Sequence, residues 1–470
     1  MDITIILSER GKELALVNLY KYKLIGERKK DNLLRWRCTN NKCSAIMFSG
    51  LDKRKVIETA GQHNHDKNSI EKIETQVLRE NCKRKAEESI STRPLKIIRT
   101  ELLNSSSTSN LNNQNVRNVR KAMYDKRKQT YPKLPTSLDE TIHQLSDLKN
   151  EECFKYKGQQ FIYMPTDDNF VCLTTEQNLQ FMTNNCTEYF GDGTFNYAPK
   201  YFIQLYTIHG FKNGYYLPLV YFFLQNKTRS TYIKMWQFLN NLCLKLCEKS
   251  LQINTFHVDF EIGAHQAITD VFGNIKIIGC RFHLGQSWWK KIVGKPSLRI
   301  AYMNNSNELG KWLKMFFGLA FISPEEVVDA FHELISICPN DDGFIFSDYI
   351  LHNYIEDHCQ FPPNIWAEIP SLNPRTTNAA ESFHRTYNSQ FYSPHPHVHA
   401  VVRVLIETQA ETSTKINSIR HKPGKLQPAK EIKKIELNIQ AYSQFLNRKN
   451  TESLLIYLSQ LGNRYQGVSI

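Results

Sequence analysis

The spacing of hydrophobic and polar positions changes along the chain. Alternating stretches around turn residues, such as "LALVNLYKYKL" within residues 1–65, predict a small β module. From about residue 151, three strand-like runs, "CTEYFGDGTF", "YFIQLYTIHGF" and "YYLPLVYFFLQ", precede the helical spacing of "STYIKMWQFLNNLCLKLCEK". Strand-like and helix-like runs then alternate in "INTFHVDF", "AHQAITDVF", "IKIIGC" and "LGQSWWKKI". The order β-β-β-α-β-α-β-α predicts a mixed α/β sheet covered by helices.

These patterns divide the chain into four predicted regions. We predict a β-rich module at 1–66, a linker at 67–150, an α/β body at 151–400 and a helical region at 401–470. The linker is polar and contains "NSSSTSNLNNQN" at 104–115. We therefore expect it to be basic and largely disordered, with transient helix.

Positive charge is concentrated at the front of the chain. The 470 residues carry a formal net charge of +14. Residues 1–65 hold 13 Lys and Arg against 7 Asp and Glu, and residues 66–150 hold 17 against 11. This asymmetry favours nucleic acid as the partner of the front section, with a solvated basic tail as the alternative.

Targeting and cysteine patterns indicate a reduced intracellular compartment. The start "MDITIILSERGKE" has too short an apolar run for a signal peptide. The longest apolar run, "YYLPLVYFFL", has about half the length of a membrane-spanning helix, so no membrane partner is expected. Eleven cysteines at irregular spacing do not resemble a disulfide framework, and reduced thiols in the cytosol or nucleus fit better.

Four potential metal ligands lie in the β module. "WRCTNNKCSA" supplies Cys38 and Cys43, and "GQHNHD" supplies His63 and His65. Two thiolates and two imidazoles form a tetrahedral Zn²⁺ set, and so small a module needs such a stabilising centre. The alternative is a pair of unrelated surface cysteines beside a polar, His-rich turn. The sequence favours a structural zinc site.

Residues 3–66 resemble the FLYWCH zinc finger. The resemblance rests on Tyr20, Tyr22, Trp36, Arg37, Cys38, Cys43, Ala45, His63, Asn64 and His65. It implies a module that binds DNA or protein. The basic residues that could contact phosphates here are Lys21, Lys23, Arg28, Lys29, Lys30, Lys53, Arg54 and Lys55.

Three acids stand out in the α/β body. Asp192 lies in "EYFGDGTFNY", where Asp-Gly is also a hairpin signal. Asp259 ends the predicted strand "INTFHVD", where an acid can cap the following helix. Glu381 follows Asn378 by three residues in "RTTNAAESFHRTYN", the spacing of a capping box. Each acid alone is better explained by local structure than by chemistry.

Together, the acids have the order of a catalytic set. An Asp on the first strand, an Asp at the end of the fourth and a Glu on a later helix is the layout of ribonuclease H-like enzymes. In such a sheet the first and fourth strands lie side by side, so distant acids meet. Carboxylates suit Mg²⁺ or Mn²⁺, and a metal-free cluster of acids would repel itself. The order therefore predicts catalytic metal ions that serve phosphoryl transfer.

Residues 150–400 resemble the transposase domain of Mutator-like elements, the MULE family. The resemblance rests on Gly191–Phe195, Asp259, Glu261, Gly263, Ala264, Ala267, Gly279–His283, Gln286 and Thr377–Glu381. It implies a catalytic triad of Asp192, Asp259 and Glu381 on a ribonuclease H-like fold. It also implies that a helical insertion, at about 290–375, interrupts this fold. A FLYWCH finger is a familiar neighbour of this domain.

Several nearby residues have weaker predictions. We expect Glu261 to be an exposed residue at a helix start rather than an acid supporting the metal site. Cys280 and His283 form the Cys-x2-His pair of Mutator-like transposases, where metal binding and a buried core role are equally supported. His395, His397 and His399 in "SPHPHVHA" are interpreted as the lead into a helix.

The expected function is that of a metal-dependent DDE transposase. The expected partners are double-stranded DNA with terminal inverted repeats and other copies of the chain on paired ends, in the nucleus, without a small-molecule substrate. One alternative is a host-adopted, catalytically silent zinc-finger DNA-binding protein. Another is a ribonuclease H-like exonuclease, which would need a second acid one residue apart on the first strand, whereas Gly193 and Thr194 follow Asp192.

Overall fold

The computed structural model describes residues 1–88, 92–104, 110–129, 131–371, 378–391, 393–421 and 429–464, without the side chains of residues 378, 379 and 429–431. The chain divides into two compact units. One comprises Met1–Leu134 with Ser389–Tyr392, and the other comprises Pro135–Asn388 with Ser393–Ile470. Together they give a mixed α/β protein with an antiparallel sheet at its N-terminus, which confirms that part of the predicted fold class.

The first unit begins with a six-stranded antiparallel meander. Its strands are β1 (Thr4–Leu7), β2 (Glu13–Val17), β3 (Tyr20–Arg28), β4 (Leu33–Cys38), β5 (Ile46–Ser49) and β6 (Val56–Ala60), paired in sequence order. Because each strand reverses direction, alternate turns lie at the same edge of the sheet. Residues 29–32 and 50–55 therefore form turns at one edge, and residues 39–45 form a turn at the opposite edge.

Alternation explains the central strand β4. Leu34, Trp36 and Cys38 are buried, whereas Arg35 and Arg37 between them are exposed. The indole nitrogen of Trp36 donates a hydrogen bond of 2.9 Å to Ser49 Oγ on β5, so burial leaves this donor satisfied. The period of two that predicted strands here thus corresponds to one packed face.

Three helices follow this sheet where a largely disordered linker was predicted. They are α1 (Ile70–Glu88), α2 (Pro94–Asn104) and α3 (Asn113–Gln129). Their buried core consists of Leu78, Cys82, Ala86, Ile97, Ile98, Val119 and Met123. Arg127 also donates to the carbonyls of Ala86 and Thr92, at 3.0 and 2.7 Å. The linker prediction was wrong because the few apolar residues that form this core are spread through a largely polar sequence. The first unit therefore extends to Leu134 rather than ending at residue 66.

The second unit contains a seven-stranded mixed sheet. Its strands are β7 (Ile162–Tyr163), β8 (Val171–Leu173), β9 (Glu188–Thr194), β10 (Gln204–Lys212), β11 (Tyr215–Leu224), β12 (Thr255–Val258) and β13 (Lys276–Gly279). The spatial order is β13-β12-β9-β10-β11-β8-β7. The pairs β13–β12 and β12–β9 are parallel, and the other neighbours are antiparallel. The predicted adjacency of the first and fourth strands of the body is present, as β9 beside β12.

Helices surround this sheet and continue beyond it. They are α4 (Leu138–Leu148), α5 (Glu176–Asn185), α6 (Arg229–Cys247), α7 (Ile262–Phe272), α8 (Arg281–Val293), α9 (Pro296–Met303), α10 (Glu308–Met315), α11 (Val327–Ser336), α12 (Phe344–Ile350), α13 (Pro363–Trp366), α14 (Asn378–Asn388), α15 (Val398–His421), α16 (Ala429–Arg448) and α17 (Thr451–Arg464). Short 3₁₀ turns occur at 152–154, 316–321, 324–326 and 341–343, and a π turn at Leu351–Ile355. Among the described helices, none is long and apolar enough to cross a membrane.

The second unit has two large buried cores. One joins the sheet to α6 and α7 around Trp236, and the other joins α8–α13 around Trp288, Trp312 and Trp366. The predicted separate region at 401–470 is divided between them. Ile416 on α15 belongs to the sheet core, and Tyr457 on α17 donates a 2.6 Å hydrogen bond to the carbonyl of Phe321. The boundary at 400 is therefore not a structural one.

Candidate functional site

Three parallel strands bring chemical groups to one level of the second sheet. Phe190 on β9 pairs with His257 on β12, and Val258 pairs with Gly279 on β13. Two residues beyond the first pair, Asp192 lies beside Asp259. One residue beyond the second pair, Asp259 lies beside Cys280. Asp192 lies within β9 rather than in a hairpin turn, which removes the alternative explanation of its Asp-Gly sequence.

The side chains converge around His283 in the first turn of α8. Ligand atoms of Asp192, Asp259 and His283 lie within 4.8 Å of one another. Ligand atoms of Cys280, His283 and Glu381 satisfy the same limit. Glu381 comes from α14 and accepts a hydrogen bond from Cys280 Sγ at 3.7 Å. The three predicted acids and the Cys-x2-His pair therefore share one site.

Asp192 is the most buried acid of this site, with 5% of its surface exposed. Its pKa is raised to about 7, chiefly by burial; His283 lowers the pKa, and Asp259 and Glu381 raise it. A buried carboxylate beside two other acids is costly when charged. A bound cation would reverse this balance, because positive charge favours the ionised form. The electrostatics of the cluster therefore fit a metal site.

Polar groups behind Asp192 fix its orientation. The backbone N–H of Gly193 donates to Asp192 Oδ1 at 2.9 Å, and His384 Nε2 lies 3.5 Å from Oδ2. Thr207, opposite Asp192 on β10, lies 3.0 Å from the same His384 nitrogen and 3.2 Å from His209 Nε2. Burial lowers the pKa of His384 to about 3, so its imidazole is neutral at physiological pH.

Sequence reasoning missed Thr207, His209 and His384. A signal for His384 was present, because it follows Glu381 by three residues and therefore shares its helix face. Thr207 and His209 are two residues apart on β10 and point to one face of the sheet. Nothing in their local sequence marks that face as the one that carries Asp192.

Glu261 differs from its prediction as an exposed residue. Its side chain is 14% exposed and its Oε1 lies 3.6 Å from Lys227 Nζ. Burial and the nearby Asp259 raise its pKa. His265, one turn into α7, lies with Nε2 2.6 Å from the carbonyl oxygen of Asp259 and holds the strand end against the helix. Glu261 therefore belongs to the surroundings of the acid cluster.

The alternative explanation of Glu381 as part of a capping box involves residues that lie outside the described part of the chain. Thr377 lies outside the described residues, as does the side chain of Asn378. The remaining histidines lead into α15 as expected: this helix begins at Val398, and the Nε2 atom of the buried His399 lies 3.2 Å from Gln144 Oε1.

The first unit contains a separate cluster of ligands. Ligand atoms of Cys38, Cys43, His63 and His65 lie within 4.8 Å of one another. Cys38 Sγ is 3.2 Å from His65 Nε2, and Cys43 Sγ is 3.3 Å from His63 Nδ1. The two ring nitrogens are 3.3 Å apart. A tetrahedral Zn²⁺ with ordinary Zn–N and Zn–S bonds needs ligand atoms about 3.3–3.8 Å apart, so these separations of 3.2–3.3 Å lie at the short end of that range.

Each imidazole in this cluster has a second partner on its other nitrogen. His63 Nε2 is 2.7 Å from the Tyr22 hydroxyl, and His65 Nδ1 is 2.9 Å from the Asp66 carbonyl oxygen. Tyr20 stacks on the His63 ring, with centroids 3.5 Å apart. Hydrogen bonds from the outer nitrogens leave the inner lone pairs directed at the cluster. Burial lowers the pKa of His63, which favours the neutral form that binds metal.

The basic residues of the first unit have different environments. Lys21 is half-buried and donates to Gln76 Oε1 at 2.6 Å, and Lys53 forms an ion pair with Glu13. Arg28 is paired with Asp31 and Glu58, both at 2.6 Å. These three were predicted as phosphate contacts, but local partners already engage them. The exposed cations of the predicted set are Lys23, Lys29, Lys30, Arg54 and Lys55.

Comparison with known proteins identifies part of the second unit. Residues 189–287 match the family model of the MULE transposase domain and include Asp192, Asp259, Cys280 and His283. At the coarse level, such a domain implies a polynucleotidyl transferase type of enzyme. No curated protein matches the chain.

One similar solved structure is the Drosophila P element transposase strand transfer complex. Its sequence is 12% identical, the match covers 73% of this chain and 88% of that chain, and the TM-score is 0.21. At that TM-score the likeness carries no argument about the fold.

Proposed function

We propose that this chain is a DNA transposase of the Mutator-like class with a metal-dependent DDE active site. The observation that carries the proposal is the convergence of Asp192, Asp259 and Glu381 around His283, with both aspartates inside the matched transposase segment. The strand order β13-β12-β9-β10-β11 supports a ribonuclease H-like catalytic fold, because the first and fourth strands of that fold are neighbours.

The donor set of the proposed active site fits Mg²⁺ or Mn²⁺. Asp192 and Asp259 would hold the metal ions, and Glu381 would complete the site from α14. Carboxylate oxygens suit both ions, and the adjacent imidazole of His283 and thiol of Cys280 suit Mn²⁺ better than Mg²⁺. When bound, such ions polarise the phosphate and lower the pKa of an attacking water or hydroxyl.

The protein's own groups hold this site in place. The N–H of Gly193 binds one oxygen of Asp192, and the neutral His384 faces the other, so the carboxylate cannot rotate freely. The proposed reaction has two steps. Water first attacks phosphorus and breaks the P–O3′ bond, leaving a free 3′-hydroxyl and a 5′-phosphate. The 3′-hydroxyl then attacks a phosphate of target DNA and releases another 3′-hydroxyl.

For the first unit we propose a FLYWCH-type zinc finger that binds transposon ends. Cys38, Cys43, His63 and His65 would hold a structural Zn²⁺ at one edge of the meander. The exposed cations of the 29–32 and 50–55 turns lie at the opposite edge, where they could contact phosphates without disturbing the metal. We place the protein in the nucleus, acting on double-stranded DNA with terminal inverted repeats as an oligomer on paired ends.

The test is nicking of a duplex that carries the terminal repeat of the flanking element, with Mg²⁺ or Mn²⁺. Asp259→Asn should lower the cleavage rate by roughly 10³-fold or more, the scale expected when one essential catalytic group is removed. The matched control is Asp329→Asn, because Asp329 is exposed on α11 and no described residue forms an ion pair with it. Equal cleavage by wild type and Asp259→Asn would refute the proposed site. Repeat binding by both without cleavage would favour the host-adopted DNA-binding protein.

A further inference from the structure

A continuous stretch of the second unit is rich in basic residues and lacks acids. Residues 271–307 contain six Lys and Arg and no Asp or Glu. This stretch includes β13, α8 and α9, and it contains Cys280 and His283 of the proposed active site. The rest of the second unit holds 25 Lys and Arg against 31 Asp and Glu, so the positive excess is confined to this stretch. Such a patch attracts polyanions.

The cations at the end of this stretch are exposed and uncompensated. Lys290, Lys295 and Arg299 are exposed, and none of them forms an ion pair with an acid among the described residues. Lys290 Nζ donates to Gln286 Oε1 at 3.2 Å, a neutral partner that leaves its charge unbalanced. In the first unit, by contrast, Arg28 is neutralised by two acids.

Helix geometry connects these cations to the active site. His283 and Lys290 are seven residues apart on α8, close to two full turns, so their side chains share one face of the helix. The rise along the axis is about 10 Å. A strand bound with its phosphate near His283 would therefore reach Lys290 after one or two further phosphates.

An apolar groove lies beside the same cations. It has a volume of about 550 Å³ and is lined by Trp289, Arg299, Ile300, Met303 and Asn304. Ile300 and Met303 are 68% and 61% exposed, which is unusual for large apolar side chains beside a well-packed core. The Trp289 ring is held against Tyr302, with centroids 5.0 Å apart. An aromatic ring, apolar walls and a guanidinium together form a surface on which a nucleobase can stack.

We propose that this surface, the α8–α9 surface, binds a single-stranded part of the DNA substrate next to the bond that is cut. Lys290 and Lys295 contact consecutive backbone phosphates, and an unpaired base enters the groove between Trp289 and Arg299. The inference rests on the proposed function for its substrate. The absence of acids from residues 271–307 favours DNA over a protein partner, because a protein docking site of this size would not need uncompensated cations.

The phosphate contacts are tested by the salt dependence of binding in the full-length protein. The probes are a terminal-repeat duplex with a single-stranded extension and the same duplex with blunt ends, measured by fluorescence anisotropy with Ca²⁺. Lys290→Gln/Lys295→Gln should lower the slope of log K against log salt by about 1.4 on the extended probe, since each single-strand phosphate contact contributes about 0.7. The control Lys245→Gln/Lys249→Gln removes two exposed lysines, one in the last turn of α6 and one just beyond it, and should leave the slope unchanged. An unchanged slope in the first variant would overturn the inference.

The groove is tested separately with Ile300→Glu, which places a negative charge on an exposed position and should not disturb the fold. We expect roughly tenfold weaker binding of the extended probe, the scale of one lost base stack, and little change with the blunt duplex. Equal weakening on both probes would overturn the base-binding part. So would unchanged DNA binding accompanied by a loss of self-association in sedimentation, because the groove would then hold another copy of the chain.

The outcomes separate this inference from the proposed function. Cleavage by wild type with no effect of the α8–α9 variants on binding would refute the surface and leave the transposase intact. Salt and groove effects as expected, in a protein that never cleaves, would support the surface and refute the enzyme.

Discussion

The two clusters of ligand side chains in this protein differ in how far apart their residues lie along the chain. The finger cluster of the first unit draws all four ligands from Cys38 to His65. The acid cluster of the second unit spans Asp192 to Glu381 and takes its residues from three neighbouring strands and two helices. The first can therefore form as soon as a single meander closes, whereas the second requires the whole sheet and the return of the chain after the helical insertion.

The clusters also differ in their partners. In the cluster of Cys38, Cys43, His63 and His65, each imidazole has a hydrogen-bond partner on its outer nitrogen, which directs the lone pair of the other nitrogen at the metal position. In the acid cluster, three carboxylates face one another, and one of them is buried with a raised pKa. A metal in the finger would contribute to folding itself, whereas metals at the acids would relieve a repulsion that the fold already contains. Removing the metal should consequently have different effects at the two sites.

The largest expected effect is loss of the finger fold. Cys43→Ala removes one of four ligands, and structural Zn²⁺ contributes about 10 kcal/mol or more to small metal-dependent modules. We expect loss of bound zinc and rapid proteolysis within residues 1–66. Zinc content by mass spectrometry and limited proteolysis measure this, with Cys82→Ala in the helical core as a control that should keep its zinc. A finger that resists protease equally without zinc would show that the cluster is not a structural metal site.

The second prediction concerns the pH dependence of stability at the acid cluster. The pKa of Asp192 is about 7 in the folded chain and near 3.8 when unfolded, so the folded state binds the extra proton between these values. Stability should therefore fall as pH rises from about 4 to 7, by up to about 4 kcal/mol from this group. His384 acts in the opposite direction, because its lowered pKa costs stability as pH falls from about 6.5 to 3.

Comparing wild type with Asp192→Asn isolates the contribution of Asp192. In metal-free chemical denaturation, the variant should gain stability relative to wild type as pH rises from 4 to 7. Mn²⁺ should reduce that difference by stabilising wild type alone. If the free energies of unfolding of the two proteins depend on pH in the same way, with and without Mn²⁺, the pKa of Asp192 is not raised as the structure indicates.

The same contrast explains what the sequence could predict. The four potential zinc ligands were predicted from residue type and spacing, since Cys38 and Cys43 flank one turn and His63 and His65 follow one strand, and the structure brings all four together. The acids were selected because their order matched a known layout, and β9 and β12 are neighbours, as that layout requires. Individually, the local sequence of each acid favoured a turn or a cap.

Sequence reasoning failed where contacts depend on packing between distant elements. His384 contacts Asp192 because α14 packs against β9, and Glu261 is partly buried beside Lys227, which comes from a loop distant in the sequence. The helices at 70–129 were missed because their core uses few apolar residues, including Cys82 and Ala86, within a charged composition. Side-chain contacts of this kind are set by the register and direction of elements far apart in the chain, which a single sequence does not specify.

The smallest expected effect distinguishes the finger's outer partners from its ligands. Tyr22→Phe removes the oxygen that lies 2.7 Å from His63 Nε2, so the imidazole loses the partner that orients its metal-binding nitrogen. Loss of such an outer partner typically weakens metal binding by about 10- to 100-fold, which competition with a chromophoric zinc chelator measures. Tyr20→Phe is the matched control: it keeps the stacking on His63 and loses only a 3.4 Å contact to the His65 carbonyl, so its zinc affinity should change by about twofold at most. Equal zinc affinities for the two variants would mean that the Tyr22 hydroxyl does not orient His63. The two clusters would then no longer differ in having outer hydrogen-bond partners that hold the ligands in position for the metal.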